Sequence, residues 1–313
     1  MRQKKNGRGR GVAECTHRRF RTIPQAMRSV FASFACVLLA GCAPRADVAS
    51  SPQVLAGTCE SAYFCDDFEQ HAAGQLPGAP WREETYRSGA VIEVSRARAY
   101  SGSQSLHVLA PKDAKRRGYV AIHEAPVFPA AAKQMYGRAM FWLDAAPIAA
   151  DGGSSVHWTL LQGEGRSADD RYNAIYRLGG EFDSGLRLKS NYETTPPVRT
   201  DCRQHSAQRL PVQRWTCVEW HFDGERNELQ FWLDGTELAD AHVVGRGASP
   251  DSHCAHHDDL QGEWRAPPAF QSFYVGFERY EVSSNDQNLW IDDVVISSQR
   301  AGCPQGFAPT GIP

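Results

Sequence analysis

The sequence predicts an all-β fold, a sandwich or jelly roll, and three observations carry that expectation. Short β-type runs recur at 91–94, 105–109, 119–122, 140–143, 156–160, 174–178, 186–189, 217–222, 229–233, 273–277 and 289–296. Turn residues punctuate them, as at Ser101-Gly102, Gly152-Gly153, Asp223-Gly224 and Asp234-Gly235, the chemistry that ends strands. No long stretch after the N-terminal apolar run carries the 3.6-residue period of a helix.

Each run earns its place by alternation or by β-branched and aromatic content. Val91-Ile92-Glu93-Val94 opens the series, and Ser105 to Leu109 and Tyr119 to Ile122 follow the same logic. Met140 to Leu143, Val156 to Leu160 and Ala174 to Leu178 are more apolar, and Leu186 to Lys189 alternates cleanly. The clearest local unit runs from Trp215 to Leu238, where two aromatic strands flank Asp223-Gly224-Glu225-Arg226-Asn227. That hairpin resembles one common in concanavalin-A-like sandwiches, with Trp220 and Phe231 read as core. The last two runs are rich in Phe, Val and Ile. The eight tryptophans, from Trp81 to Trp290, suit both a β-rich core and sugar stacking. The fold class expected is therefore an all-β, concanavalin-A-like β-jelly roll sandwich.

The N-terminus carries a different message. Met27-Arg28 precedes an apolar run that closes on Leu39-Ala40-Gly41-Cys42. A charged start, a short apolar run and small residues make a secretory signal. The run falls short of the ~20 residues that span a membrane. Cysteine directly after Leu-Ala-Gly resembles a bacterial lipobox, so Cys42 is the expected lipidation site. Residues 1–41 are read as signal peptide with a basic extension, 42–58 as a lipidated flexible tether rich in Ala, Pro, Ser and Val, and 59–313 as one jelly-roll domain. The membrane partner is then the lipid anchor only. The location expected is the outer membrane or cell surface, with the periplasmic face as an alternative, because Ala43 is not the aspartate of an inner-membrane retention signal. Removing nine Lys/Arg and one Glu before Cys42 leaves 25 basic and 35 acidic residues, a net charge near −10. Such a surface repels nucleic acid, and a monomer is expected.

Nine cysteines are present. Cys15 and Cys36 fall in the removed segment and Cys42 carries lipid. Six remain in an oxidising compartment, which suggests three disulfides. Cys59 and Cys65 can close a small loop, Cys202 and Cys254 both lie in polar loop-like segments, and Cys217 and Cys303 lie beside β-like runs. Those pairings are expected from the fifteen that six cysteines allow.

Three separated segments carry a family resemblance: Asp66-Asp67-Phe68-Glu69, Tyr100-Ser101-Gly102-Ser103-Gln104-Ser105-Leu106, and Leu289 to Ile296 running on to Arg300-Ala301-Gly302-Cys303. Between them lie Arg177-Leu178-Gly179-Gly180, Trp215 to His221, and Gly276-Phe277-Glu278-Arg279-Tyr280. In that order they resemble the core domain of the fungal cellulose-induced secreted proteins, a family similar to the glucuronan lyases of polysaccharide lyase family 20. The likeness covers about residues 64–303. It implies a jelly roll with a cleft along one sheet and one structural Ca2+ held by Glu69, Ser101, Gln104 and Asp293, with Asp292 the other candidate. Calcium takes ~6–8 oxygen ligands, which carboxylates and turn carbonyls can supply. Gln104 departs from the family's asparagine.

Strand alternation sorts the cleft residues. Arg187, Lys189 and Asn191 share a face, as do Arg177 with Ile175, His157 with Thr159, and Glu278 with Tyr280. A solvated outer face is the plain explanation. The sharper one is β-elimination on a uronic-acid polymer, which needs cations or amides on the carboxylate, a base at the adjacent proton and an acid at the leaving oxygen. Arg177, Lys189 and Asn191 suit the first task, and His157 and Tyr280 suit base and acid. The family's histidine two residues before the matching arginine is Ile175 here, which favours sugar binding without cleavage. Glu181-Phe182-Asp183 resembles the start of a glucanase strand, but Leu186 replaces its third acid, and hydrolysis needs two placed carboxylates. His253, Cys254, His256, His257, Asp258 and Asp259 lack a partner segment for zinc and read as a polar surface loop. The sequence thus predicts a secreted, lipid-anchored polysaccharide-binding protein, with uronan lyase activity by β-elimination as the leading enzymatic hypothesis. The alternative is a non-catalytic carbohydrate-binding or cell-envelope scaffold lipoprotein.

Overall fold

A computed structural model describes residues 59–86, 89–113, 116–123, 127–128, 133–150, 153, 155–181, 186–247, 253–255 and 260–307. The signal segment, Cys42 and the tether lie outside the described residues, as do Asp183 and the 256–259 stretch of the histidine-rich loop.

The strands in chain order are β1 (Phe64–Asp66), β2 (Arg82–Tyr86), β3 (Val91–Ser95), β4 (Ser105–Ala110), β5 (Arg116–His123), β6 (Gln134–Leu143), β7 (His157–Arg166), β8 (Asn173–Glu181) and β9 (Arg187–Thr194). They continue with β10 (Asp201–Arg209), β11 (Thr216–Asp223), β12 (Glu228–Leu233), β13 (Thr236–Glu237), β14 (Val243–Val244), β15 (His253–Ala255), β16 (Ser272–Arg279) and β17 (Gln287–Ser297). One nine-stranded sheet runs β13-β12-β11-β6-β17-β4-β3, with β1 on β17 and β14 on β12. An eight-stranded sheet runs β15-β10-β9-β8-β7-β16-β5-β2. Every ladder is antiparallel. The all-β jelly-roll sandwich expected from the sequence is the fold observed.

Alternation builds the core, since successive side chains leave opposite faces of a strand. Val108, Phe141, Trp220, Phe222, Phe231 and Ile291 point inward from the nine-stranded sheet, and Ile122, Trp158, Tyr176, Leu188, Phe273 and Phe277 from the other. Trp220 stacks on Phe273 with centroids 5.0 Å apart, so the two sheets meet through aromatic rings. Burying each such side chain contributes ~1.5–3 kcal/mol. Trp220 and Phe231 are core, as expected. Trp142 and Trp290 instead leave the outer face of the nine-stranded sheet, beneath the Arg98 guanidinium.

Strands β2 and β10 escape the sequence pattern. Strand β10 reads as a polar loop because even its inward positions are polar. Gln204 Nε2 donates to the Asp240 carbonyl at 2.6 Å and Ser206 Oγ to Asp240 Oδ1 at 2.6 Å. The short 3-10 turn Ala239–Ala241 therefore satisfies what an apolar core would not. Cys202 and Cys254 consequently sit on paired strands rather than in loops, directly opposite one another. All three expected disulfides form: Cys59–Cys65, Cys202–Cys254 and Cys217–Cys303.

Candidate functional site

The outer face of the eight-stranded sheet carries the predicted cleft residues. Registers place them in adjoining rows. Tyr274, Gln162, Arg177, Asn191 and Arg203 are successive cross-strand partners from β16 to β10. The next row holds Glu278, Thr159, Gly179, Lys189 and His205. Register shifts between Thr159 and Leu161 and between Val275 and Glu278 mark bulges in β7 and β16, which re-aim side chains. Gly179 is required here, because a Cβ would lie 2.1 Å from the Trp158 carbonyl oxygen at the bulge. His157, Arg177, Lys189, Asn191 and Tyr280 are brought together. Arg177 and Lys189 are each only 6% exposed although they face away from the core, so neighbouring groups on that face wall them in.

Tyr280 follows β16, and its amide donates to the His157 carbonyl at 3.0 Å. Its hydroxyl donates to Glu278 Oε2 at 3.1 Å and meets Thr159 Oγ1 at 3.1 Å. Burial pushes that hydroxyl above its ordinary pKa. Arg177 is engaged by three neighbours: its Nε donates to Gln162 at 2.9 Å, and its Nη1 meets Asn191 Oδ1 at 3.3 Å and pairs with Glu193. Asn191 Nδ2 in turn donates to Asp201 Oδ1 and to the Cys202 carbonyl, both at 2.9 Å. Burial pushes the Lys189 ammonium down to about 8, opposed by the charge of Glu181.

The surroundings of His157 bear on the role expected for it. Its Nδ1 lies 2.9 Å from Glu281 and its Nε2 3.3 Å from Glu181. Hydrogen bonds to Glu181 and then Glu281 raise its pKa to about 9. An imidazolium held between two carboxylates has no lone pair to accept a proton, which suits a proton donor better than a base. Glu181 is also bound by His205 Nε2 at 2.9 Å, and its contacts with His157 and then His205 hold its carboxyl well below the usual range. Held ionised, Glu181 does not suit the general acid of a hydrolytic pair, and Leu186 packs into the core. Ile175 faces the same side as Arg177, opposite Glu193.

The four residues implied for calcium gather around one turn, 101–104, but their donors do not fit the ion. Glu69 Oε1 accepts the amides of Ser103 and Gln104 at 2.7 and 2.8 Å, and Oε2 accepts the Ser103 hydroxyl at 2.8 Å. Gly102, at φ +60°, lets the turn wrap that carboxylate, since a Cβ would lie 2.4 Å from Oε1. Gln104 Nε2 donates to the Phe68 and His71 carbonyls at 2.7 and 2.8 Å, leaving Oε1 toward Arg96. Asp293 Oδ1 accepts the Ser101 hydroxyl at 2.7 Å, and only its buried Oδ2 has no partner. Asp292 accepts the Tyr100 and Ser101 amides; burial, and then the charge of Asp293, pushes it up to about 8. The side chains offer one unengaged carboxylate oxygen, so backbone carbonyls would have to supply most of the ~6–8 ligands that calcium takes. The longer glutamine, in place of asparagine, turns an N–H rather than an oxygen into the site.

Residues 67–299 match the model of the Cip1-like core domain, described as polysaccharide lyase-like. The chain belongs to that family. Among solved structures it is similar to the cellulose induced protein Cip1, at 19% identity and a TM-score of 0.53, covering 77% of this chain and 99% of that one. It is also similar to an endo-β-1,4-glucuronan lyase from the fungus Trichoderma reesei, at 12% identity and a TM-score of 0.50, covering 76% and 96%. At those identities the likeness is one of fold. No curated protein matches the sequence.

Proposed function

We propose that the recess on the eight-stranded sheet binds a uronic-acid polysaccharide and cleaves it by β-elimination. The observation that carries this is the convergence of Tyr280, Lys189, Asn191 and imidazolium His157 on one recessed face, with family membership as support. Burying a lysine there costs stability that packing does not repay, which points to ligand chemistry. In the reaction, the Tyr280 oxygen takes the proton beside the substrate carboxylate as its own proton passes to Glu278 Oε2. The electron pair forms the ring double bond, the C–O bond to the next sugar breaks, and His157 gives its proton to the leaving oxygen. Lys189, with Asn191 and Arg177 behind it, stabilises the charge that develops on the carboxylate. Glu278 and His157 then exchange protons with solvent. Mass spectrometry of the products separates the outcomes: elimination leaves new ends one water lighter than hydrolysis does.

Ile175, where the family resemblance implies histidine, favours a second reading, in which the recess binds sugar without turnover. Binding of uronan with no new ends from glucuronan or alginate would establish it. We also propose that Cys42 is lipidated and tethers the protein at the outer membrane or cell surface. Substituting Cys42→Ser should then move it from the membrane fraction to the soluble fraction.

A further inference from the structure

Two cations on the β9–β10 side of the recess stand apart from the rest. Among the described residues Lys189 makes no hydrogen bond or ion pair, although it is 6% exposed. The carboxylates whose charge it feels are Glu181, Asp201 and Glu281, and each is committed elsewhere. Glu181 is held by His157 and His205, Glu281 by His157, and Asp201 by Asn191. Arg203 lies opposite Asn191 on the adjacent strand. Its charge is one of those that depress Lys189, and it too makes no hydrogen bond or ion pair among the described residues. Two neighbouring cations, one nearly buried, repel one another when nothing anionic joins them. Arg177, in contrast, is engaged by Glu193, Gln162 and Asn191.

We propose that Arg203 forms a second carboxylate subsite beside Lys189, so that the recess selects polymers in which two consecutive sugars are uronates. This rests on the uronan reading above. Lys189 takes the carboxylate of the sugar that reacts, and Arg203 that of its neighbour. As diagonal positions on adjacent strands the two residues stand ~7–8 Å apart, comparable with the length of one sugar. A guanidinium suits this task because its fork of N–H donors matches a carboxylate bidentately.

The test uses the full chain carrying Tyr280→Phe, so that binding is read without turnover. Affinity is measured by calorimetry for a contiguous uronate tetramer, an alternating uronate–neutral tetramer and the carboxyl-reduced contiguous tetramer. Adding Arg203→Gln should weaken the contiguous uronate about tenfold and change the other two less than twofold. Arg203→Lys, which keeps the charge and loses the fork, should fall between. Equal losses on all three ligands from folded Arg203→Gln and Arg203→Lys proteins, or no loss on the contiguous uronate, would overturn the subsite. If the parent chain with Tyr280 intact releases no unsaturated ends while this pattern holds, the lyase reading fails and the subsite stands. If elimination occurs and the pattern is absent, the subsite alone fails.

Discussion

At the scale of single residues, the clamp Glu281–His157–Glu181–His205 decides what the recess can do. It joins the residues after β16 to β7, β8 and β10 through side chains, and the His157 amide also donates to Glu281 Oε2 at 2.6 Å. His157 titrates at about 9 in the folded chain, against an ordinary value near 6.5. Because the folded value is raised, the stabilisation is fully present below pH ~6.5 and is lost as pH rises through about 9. Glu181 is shifted the other way, so its contribution is present above the ordinary carboxylate range and lost in acid. The parent protein should therefore exceed His157→Gln in Tm by roughly 3–8 °C near pH 6. That gap should close by pH 10 in a calorimetric series. A gap that does not change across that range would show that His157 contributes no charge to the clamp.

At the scale of elements, the bulges in β7 and β16 bring Thr159, Glu278 and Tyr280 to one point, and two glycines permit them. Gly179 faces the Trp158 carbonyl, and Gly276, at φ +152°, has the Gly118 carbonyl 2.1 Å from where a Cβ would stand. Gly179→Ala must part β7 from β8, with a cost of ~1–3 kcal/mol in denaturant unfolding. It should lower turnover by more than it weakens uronan binding. The turn 101–104 is the second such element. It is stitched to the first acidic segment by Glu69 and Gln104 with protein hydrogen bonds. Thermal unfolding should be the same in calcium and in chelator, whereas Gln104→Ala should cost ~1–3 kcal/mol by orphaning two carbonyls. A chelator-induced fall in Tm would show that the turn depends on an ion after all.

At the scale of the molecule, alternation made the sandwich legible. The inward rows of β7 and β8 are apolar and the alternation from Leu186 to Lys189 is clean, so face assignment for Arg177, Lys189 and Asn191 followed directly. The same rule fails at β10, where Gln204 and Ser206 face inward onto Asp240, and for that reason Arg203 went unnoticed. The protonation of His157 was equally hidden, since Glu281 lies 124 residues away in sequence. Calcium was implied by the family resemblance, whereas the donors at the turn depend on which atom of Gln104 points inward. Tyr280 is the residue on which the whole account turns, and ultraviolet absorbance on glucuronan reads its chemistry directly. The parent chain should release unsaturated ends steadily, and Tyr280→Phe should slow that release about 10²–10⁴-fold while still binding the polymer. Equal rates from both chains, or a flat trace from the parent on every uronan, would contradict the account.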